Sequence, residues 1–587
     1  MVSQELSSLL TWGSENGITY PSEVQFLKTP DRGISAIATT NLAQAVFQVP
    51  KDAIIHGKLA EAYFGCEVNS NTLLKLLLAK LKFDSSPTVV DSEDLKSKFG
   101  PYISALPKDV SSPLIWNPKE LDHLGNTNVR TSITAKLKSM FLEWENAVLQ
   151  LDDLKSKVQE EITHVRDVLA QGEEQIYTQI TSKPFDIERQ FSWWSFPAFL
   201  WSSLIFLSRA FPEIVVDANV DPSRIVLLPI IDLLNHNTNS RVEWRKSEGS
   251  FCVEILEAVE KDCEIFNNYG GKGNEELLCG YGFVLENNVC DTVALKIKLP
   301  PTALLQVADE KSIRLPTIAD YTRSAFDPLT AKPDSSQDEP ITSKYKDGIL
   351  YLLSATSNTC LTWLLDLFAF LEKTDGECLM SLRPRMQGLQ SLRAALEAKY
   401  RTYKAGTTYS NDEDYTVSEY RAHLARVYKS GQIKVVKNSI SELKRIEKDW
   451  TLKHKDNTLS VNKLMRMDSG FMETELPEFL QLDQDSDIAL DSYDTLMCLW
   501  ILCKLENQSA PEPLQWAVTQ YTDFLKARQG QSVQISENIQ TLHQTLFPKD
   551  TRKTKLRELK TAVAFITANC YTRYSKDEPI LVKMADL

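Results

Sequence analysis

The chain has 587 residues and an ordinary composition, 43% hydrophobic, 25% charged and 9% aromatic, which excludes a wholly disordered chain, a collagen-like chain and a coiled-coil rod. Lys and Arg number 65 against 79 Asp and Glu, a formal net charge of −14, so a basic partner protein is expected rather than direct binding of nucleic acid. The length suits about two to four structural units around a large buried core.

Residues 1–60 read as a short helix ending at glycine (SSLLTWGSENG), then strands in ISAIATT and AVFQVP, with Asp31-Arg32-Gly33 as a turn before the first of them. No basic n-region leads into an apolar h-region at the N-terminus, so no signal peptide is expected. Residues 70–190 read as mostly helical. WWSFPAFLWSSLIFL, residues 193–207, is apolar but shorter than the roughly 20 residues that a spanning helix needs, and Pro197 interrupts it. It is expected to be a buried helix with Pro197 in its first turn, and no membrane association is expected.

Residues 224–300 return to strands. In SFCVEIL, Phe251, Val253 and Ile255 alternate with polar neighbours at the period of a strand. Residues 327–345 are rich in Pro, Ser and Asp and read as a flexible loop. Beyond them nearly everything reads as helix: Ile433, Val436, Ile440, Leu443 and Trp450 fit one apolar helical stripe. Strands split by a helical insertion, followed by helices alone, predict an α+β fold with an all-α C-terminal domain. The expected divisions are 1–60 and 196–300 for the strand-rich fold, 61–195 for the insertion, 301–348 for a linker and 349–587 for the C-terminal domain.

The ten cysteines form no CxxC pair and the seven histidines show no HExxH spacing, so no metal site is expected. Free thiols suit a reducing, cytoplasmic setting, with a nuclear one also compatible.

Two segments carry candidate chemistry. In IVLLPIIDLLNHNTNS, residues 225–240, Asp232, Asn235 and His236 gather within five residues. On a helical turn Asp232 and Asn235 would share a face; a helix cap beside a core histidine would look the same. In IFNNYGGKGNEELLCGYGFVLENN, residues 265–288, a glycine-rich loop leads into a helix with Asn274 as N-cap. The loop is not a P-loop, because Gly271-Lys272 is followed by glycine rather than Ser or Thr.

Together, DLLNH and NYGGKGNEELLCGYGF about thirty residues later resemble the C-terminal signature of SET-domain protein lysine methyltransferases, in the branch of the Rubisco large-subunit methyltransferase. FLWSSLIFLSRAF (199–211), PYISALP (101–107), SSPLIWNPKELDHL (111–124) and DRGISA (31–36) resemble further segments of that branch, although Asp31 stands where the family often has glycine. NNYGGKGNEELL and the long C-terminal half look most similar to fungal members acting on ribosomal proteins and elongation factor 1A.

The resemblance implies an S-adenosylmethionine-dependent protein-lysine N-methyltransferase that needs neither a metal nor a covalent nucleophile. By resemblance Tyr281 is the catalytic tyrosine at the methyl-transfer pore and Tyr269 lines it. Asn235 and His236 would bind the adenosine end largely through backbone groups, and Asp232 would fix that turn or bind cofactor. Ser208 and Arg209 would approach the amino-acid end, where a guanidinium suits a carboxylate. Arg32, Gly33 and Ile34 would present backbone to the methionine moiety, and Phe283 would pack near cofactor or channel. The implied partner is a basic protein, a ribosomal protein or elongation factor 1A, met by an enzyme expected to act as a monomer. A different protein (cytochrome c, a histone), a histidine acceptor, and a non-catalytic binding module on the same scaffold remain alternatives.

Overall fold

The computed structural model describes residues 3–29, 33–66, 68–182, 192–247, 249–317, 320, 340–405, 415–481, 492–528, 536–550 and 554–584. Arg32, Asp31 and most of the expected loop at 327–345 lie outside the described residues.

Three small sheets make the strand-rich part, and each joins strands from both sides of the insertion. Gly33–Ala38 lies between Val24–Thr29 and Glu264–Ile265; Ser250–Ile255 lies between Ala45–Pro50 and Val242–Ser247; Ile225–Leu227 lies between Ile55–His56 and Ala210–Pro212. All these pairings are antiparallel. The strand at 250–255 keeps Phe251, Val253 and Ile255 fully buried, as its period-2 pattern predicts.

The insertion leaves this framework after His56 and returns through the helix Phe196–Arg209. That helix is the apolar segment singled out in the sequence. Ser195 caps it by accepting from the N–H of Ala198, Pro197 sits in the first turn, and every residue from Phe196 to Phe206 is buried. Trp201 donates to the carbonyl of Pro107 and Ser202 to that of Lys75, which fastens the helix inside the insertion. Among the described residues no helix is long and apolar enough to cross a membrane.

Hydrophobic packing forms three large clusters. The first runs from Leu6 to Cys279 and takes in Leu424, Ala425 and Tyr428 from the 35-residue helix Glu419–Lys453. The second gathers residues between Val293 and Leu443, and the third those between Leu459 and Leu581. The stripe expected on the long helix is present: Val436, Ile440 and Leu443 are buried, with Ile433 and Trp450 partly buried beside them.

The C-terminal region is helical but not wholly so. Thr458–Ser460, Glu578–Val582 and Cys570–Arg573 form a three-stranded sheet, and Ile349–Ser354 pairs with Thr292–Ile297 across the 301–348 stretch. Two of these strands have three and four residues, too short for a period-2 pattern to announce them.

Candidate active site

The first candidate segment folds as a strand, a strained corner and a short ladder. Three residues after the strand Ile225–Leu227, Ile230 enters the 3-10 turn Ile231–Leu233 at φ 69° and ψ −44°. A β-branched residue takes a positive φ at a cost of about 1–3 kcal/mol, and full burial of Ile230 holds it there. A Cβ on Gly13 would lie 2.2 Å from Ile230 Cδ1, so a larger residue there would have to push the tip of the Ile230 side chain aside.

The chain then runs extended beside Asn267. The N–H of Asn267 donates to the carbonyl of Asn235 at 2.8 Å, and that of Asn237 to the carbonyl of Asn267 at 3.0 Å. These bonds use the outer residues of the ladder, and the main-chain N–H and C=O of His236 find no partner among the described residues. The Asn235 side chain donates to the carbonyl of Ile34 at 3.0 Å and to Glu264 Oε1 at 2.7 Å, tying the ladder to two strands. Asp232 and Asn235 therefore do not share a helical face: the turn ends at Leu233, and their side chains engage different elements.

Asp232 is buried, and its Oδ2 accepts from the hydroxyl of Tyr102 at 2.9 Å and from Arg209 Nη1 at 3.1 Å. Nη1 also donates to the Asp232 carbonyl at 2.9 Å, while Nε and Nη2 of Arg209 make no hydrogen bond in the described chain. Asp232 Oδ1 is buried without a hydrogen-bond partner among the described residues. Burial pushes the Asp232 carboxyl up against the pull of Arg209. Burial is the largest influence on Arg209 and works against its charge, but Asp232 together with Tyr102 and Tyr269 holds the guanidinium above its usual value. The Ser208 hydroxyl turns back to the carbonyls of Leu204 and Ile205.

The second segment supplies an aromatic stack. His236 and Tyr269 lie 4.9 Å apart at 16°, Tyr269 and Tyr281 5.1 Å apart at 22°, and Phe283 meets Tyr281 edge-on at 6.1 Å. The Tyr269 N–H donates to His236 Nδ1 at 3.0 Å, which places the proton of the neutral imidazole on Nε2. Burial, with Lys272 nearby, holds that ring down to about 4. Burial likewise pushes both tyrosine hydroxyls up, so both stay protonated at neutral pH. The two differ in one respect: Tyr269 donates its hydroxyl to the carbonyl of Leu234 at 2.8 Å, whereas the Tyr281 hydroxyl has no partner among the described residues.

Tyr281 closes a wide π-helical turn, Leu277–Tyr281, of a kind frequent at functional sites. Gly282 follows at φ 75°, where a Cβ would meet the backbone N of Ser111 at 2.8 Å. Ser112 donates to the carbonyl of Cys279 at 2.6 Å, so the insertion clamps this turn. Gly273, rather than Asn274, caps the helix; the Asn274 side chain instead joins Leu285 to Asp291.

Two cavities meet at the stacked tyrosines. One, of about 1080 Å³, is lined by Gly33, Ile34, Asn235, His236 and Phe283 among others; the other, of about 1130 Å³, lies against Leu207, Glu275, Glu276, Leu350 and Leu352. Ser208, Arg209, Asp232, Tyr269 and Tyr281 border both.

The chain is 38% identical over 592 residues to ribosomal lysine N-methyltransferase 1 of Saccharomyces cerevisiae, covering 99% of this chain and 100% of that one. It belongs to the SET-domain protein-lysine methyltransferases. It is 27% identical over 87% of its length to protein-lysine N-methyltransferase EFM1 of the same organism, covering 85% of that protein, and residues 334–454 match the EFM1 middle domain. Its fold is that of the SET domain of LSMT crystallised with lysine and AdoHcy, with a TM-score of 0.52 at 16% identity, covering 81% of this chain and 98% of that one. The protein is an S-adenosylmethionine-dependent protein-lysine N-methyltransferase.

Of the residues singled out in the sequence, Gly33, Ile34, Ser208, Arg209, Asp232, Asn235, His236, Tyr269, Tyr281 and Phe283 all line the first cavity; Arg32 lies outside the described residues. The same wall includes Asp109, Val110 and Ser111 from the insertion and Tyr420 and His423 from the long helix. The PYISALP match ends just before the first group, and the fit of Tyr102 to Asp232 could have been sought there. Nothing in the sequence pattern ties Tyr420 or His423 to the site.

Proposed function

We propose that this methyltransferase modifies the side-chain amine of a lysine in a ribosomal protein, with cofactor in the first cavity and lysine entering through the second. The observation that carries the reading is that two cavities of similar size meet where Tyr269 and Tyr281 stack beside Arg209 and Asp232. The relative that matches the whole chain is named for a ribosomal lysine, which supports the substrate class.

The first cavity fits a nucleoside joined to an amino acid. The unpaired main-chain N–H and C=O of His236 would take the edge of a base, and Phe283 would pack on it. Arg209, held by Asp232 through Nη1, would offer its remaining N–H groups to a carboxylate. Gly33 and Ile34 would present backbone, with the Ile34 carbonyl fixed by Asn235. When bound, S-adenosylmethionine supplies a methyl group carried on a positively charged sulfonium.

A lysine amine has an ordinary pKa near 10.4, so presenting it neutral at pH 7 costs about 4.6 kcal/mol. The aliphatic side of the second cavity, at Leu207, Leu350 and Leu352, strips water from the amine, which lowers that cost. The Tyr281 hydroxyl stays protonated and free, so it can orient the amine by hydrogen bonding and does not act as a strong base. Tyr269, anchored to Leu234, keeps the opposite ring in place. Alignment supplies the rest of the acceleration. We assign substrate capture to the helical region 349–587 and place the enzyme in the cytoplasm.

Transfer of labelled methyl from S-adenosylmethionine to purified ribosomal proteins tests the reading. Tyr281→Phe loses a hydrogen bond near charge, about 1.5–3 kcal/mol, so kcat is expected to fall about 10- to 100-fold with cofactor affinity retained. Unchanged kcat would remove Tyr281 from the pore. Label on elongation factor 1A but on no ribosomal protein would move the substrate; label on histidine would overturn the acceptor.

A further inference from the structure

The net charge of −14 conceals a segregated cationic ridge on the helix Glu419–Lys453. Residues 422–441 contain four Lys or Arg and no Asp or Glu. At 3.6 residues per turn, Arg426, Lys434, Lys437, Lys444 and Lys448 fall within an arc of about 80°, and the ridge from Arg426 to Lys448 is about 33 Å long. The acidic residues of the same stretch, Glu442, Glu447 and Asp449, lie about 60° or more off that arc. Buried positions such as Val435, Val436, Ser439 and Leu443 occupy the opposite side.

Arg426, Lys434, Lys437 and Lys448 are all exposed, and none forms an ion pair among the described residues. Lys444 reaches Glu397 at 3.7 Å, and Arg445, just beside the arc, is engaged by Glu442 and Asp449. The ridge starts next to the site: His423, on the same arc, lines the first cavity, and Arg426 and Lys434 line a smaller cavity that shares Glu286–Val289 and His423 with it.

We propose that this ridge docks on the phosphate backbone of folded RNA, so that the enzyme meets its protein substrate on an RNA-containing particle. The proposal deepens the reading of a ribosomal substrate and rests on it for its meaning. The composition of the arc selects the partner. Between Ser430 and Lys448 it holds only Ser430, Lys434, Lys437, Ser441, Lys444 and Lys448. A protein interface centres on aromatic or aliphatic anchors, and this stretch of the arc has none, the exposed Leu452 lying about one turn beyond its end. Phosphate contact needs only point charges and hydroxyls, and carries no sequence readout. The ridge reverses the expectation, drawn from net charge, of no direct nucleic acid contact.

The test is fluorescence anisotropy of the full-length enzyme with a labelled RNA hairpin of mixed sequence across a salt series. Four phosphate contacts predict a slope of log affinity against log salt of about −3. The triple variant Lys434→Glu, Lys437→Glu, Lys448→Glu is expected to flatten the slope to about −1 and weaken binding at least about tenfold. Its melting curve and its affinity for S-adenosylmethionine should match wild type, which shows that the variant is folded. Absence of RNA binding at low salt, or binding that the variant leaves intact, would overturn the proposal. Equal, equally salt-sensitive binding of polyglutamate would overturn RNA as the occupant in favour of an acidic protein surface. RNA binding with no methyl transfer to any ribosomal protein would sink the proposed substrate and leave the ridge standing.

Discussion

The two cavities that meet at Tyr269 and Tyr281 are nearly equal in size but built by opposite means. The first is framed by polar groups that the chain itself holds: Asn235 on Ile34 and Glu264, His236 on Tyr269, and Asp232 on Arg209 and Tyr102. The second takes much of its wall from aliphatic side chains of distant segments, Leu207 at the end of a buried helix and Leu350 and Leu352 from the strand Ile349–Ser354. Hydrogen bonds fix direction, so the first wall suits a ligand whose shape never changes. Apolar contact tolerates substitution, so the second wall can be recut for different protein segments without disturbing the first.

The hardest blow to that arrangement is Asp232→Ala. It leaves the buried Arg209 guanidinium and the Tyr102 hydroxyl without their shared acceptor. Loss of one partner of a buried ion pair costs about 3–5 kcal/mol, which urea denaturation would register along with loss of cofactor binding. Tyr102→Phe removes a single hydrogen bond and should cost about 1 kcal/mol, so the pair of variants separates the ion pair from its neighbour. Similar losses from both would show that the guanidinium is satisfied elsewhere.

Gly282→Ala acts where the two cavities join. The positive φ alone costs a non-glycine residue about 1–2 kcal/mol, and the new Cβ meets the Ser111 backbone rather than a side chain able to swing away. Either the segment from Tyr281 or the insertion loop must move. The expected result is a lowered melting temperature and a fall in kcat larger than the fall in cofactor affinity, because the displaced Tyr281 hydroxyl is the group proposed to orient the amine.

Much of this site is legible in the sequence because its residues come in two short runs, DLLNH and NYGGKGNEELLCGYGF, whose spacing survives as adjacency in space through the Asn235–Asn267 ladder. The buried helix at 196–209 is legible for a similar reason: its cap, its proline and its apolar length are all local. What escapes is contact between segments far apart. Tyr102 reaches Asp232 across 130 positions, and Tyr428 reaches Glu275 across 153; neither tyrosine differs locally from any half-apolar helical residue. The small sheet at 458–460, 570–573 and 578–582 escapes because two of its strands carry too few residues to show a period. Net charge hides the cationic helix face because it averages that face into an acidic chain.

His236 offers a milder perturbation of the first cavity alone. Its ring, held down to about 4, is neutral in the folded protein, while in the unfolded chain it titrates near 6.5. Between these values the unfolded state binds the extra proton, so stability falls as pH drops from about 6.5 towards 4. His56 is also held low by burial, so the quantity to read is the difference between wild type and His236→Gln in urea midpoint across that range. The variant should show the shallower decline; parallel curves would mean that the ring titrates alike in both states.

The smallest expected effect is the sharpest test of the division of labour. Leu350 is 39% exposed on the strand that borders the second cavity, and it does not line the first. Truncation to alanine removes aliphatic surface worth up to about 1 kcal/mol in a protein contact, which is about fivefold in KM for the protein substrate. The lost contact is the same in the bound and reacting states, so kcat should hold, and cofactor affinity should not change. A matching loss in cofactor affinity would mean that the two cavities are coupled through the tyrosine stack. Independence, in contrast, would let the second wall vary among related enzymes while the first stays fixed.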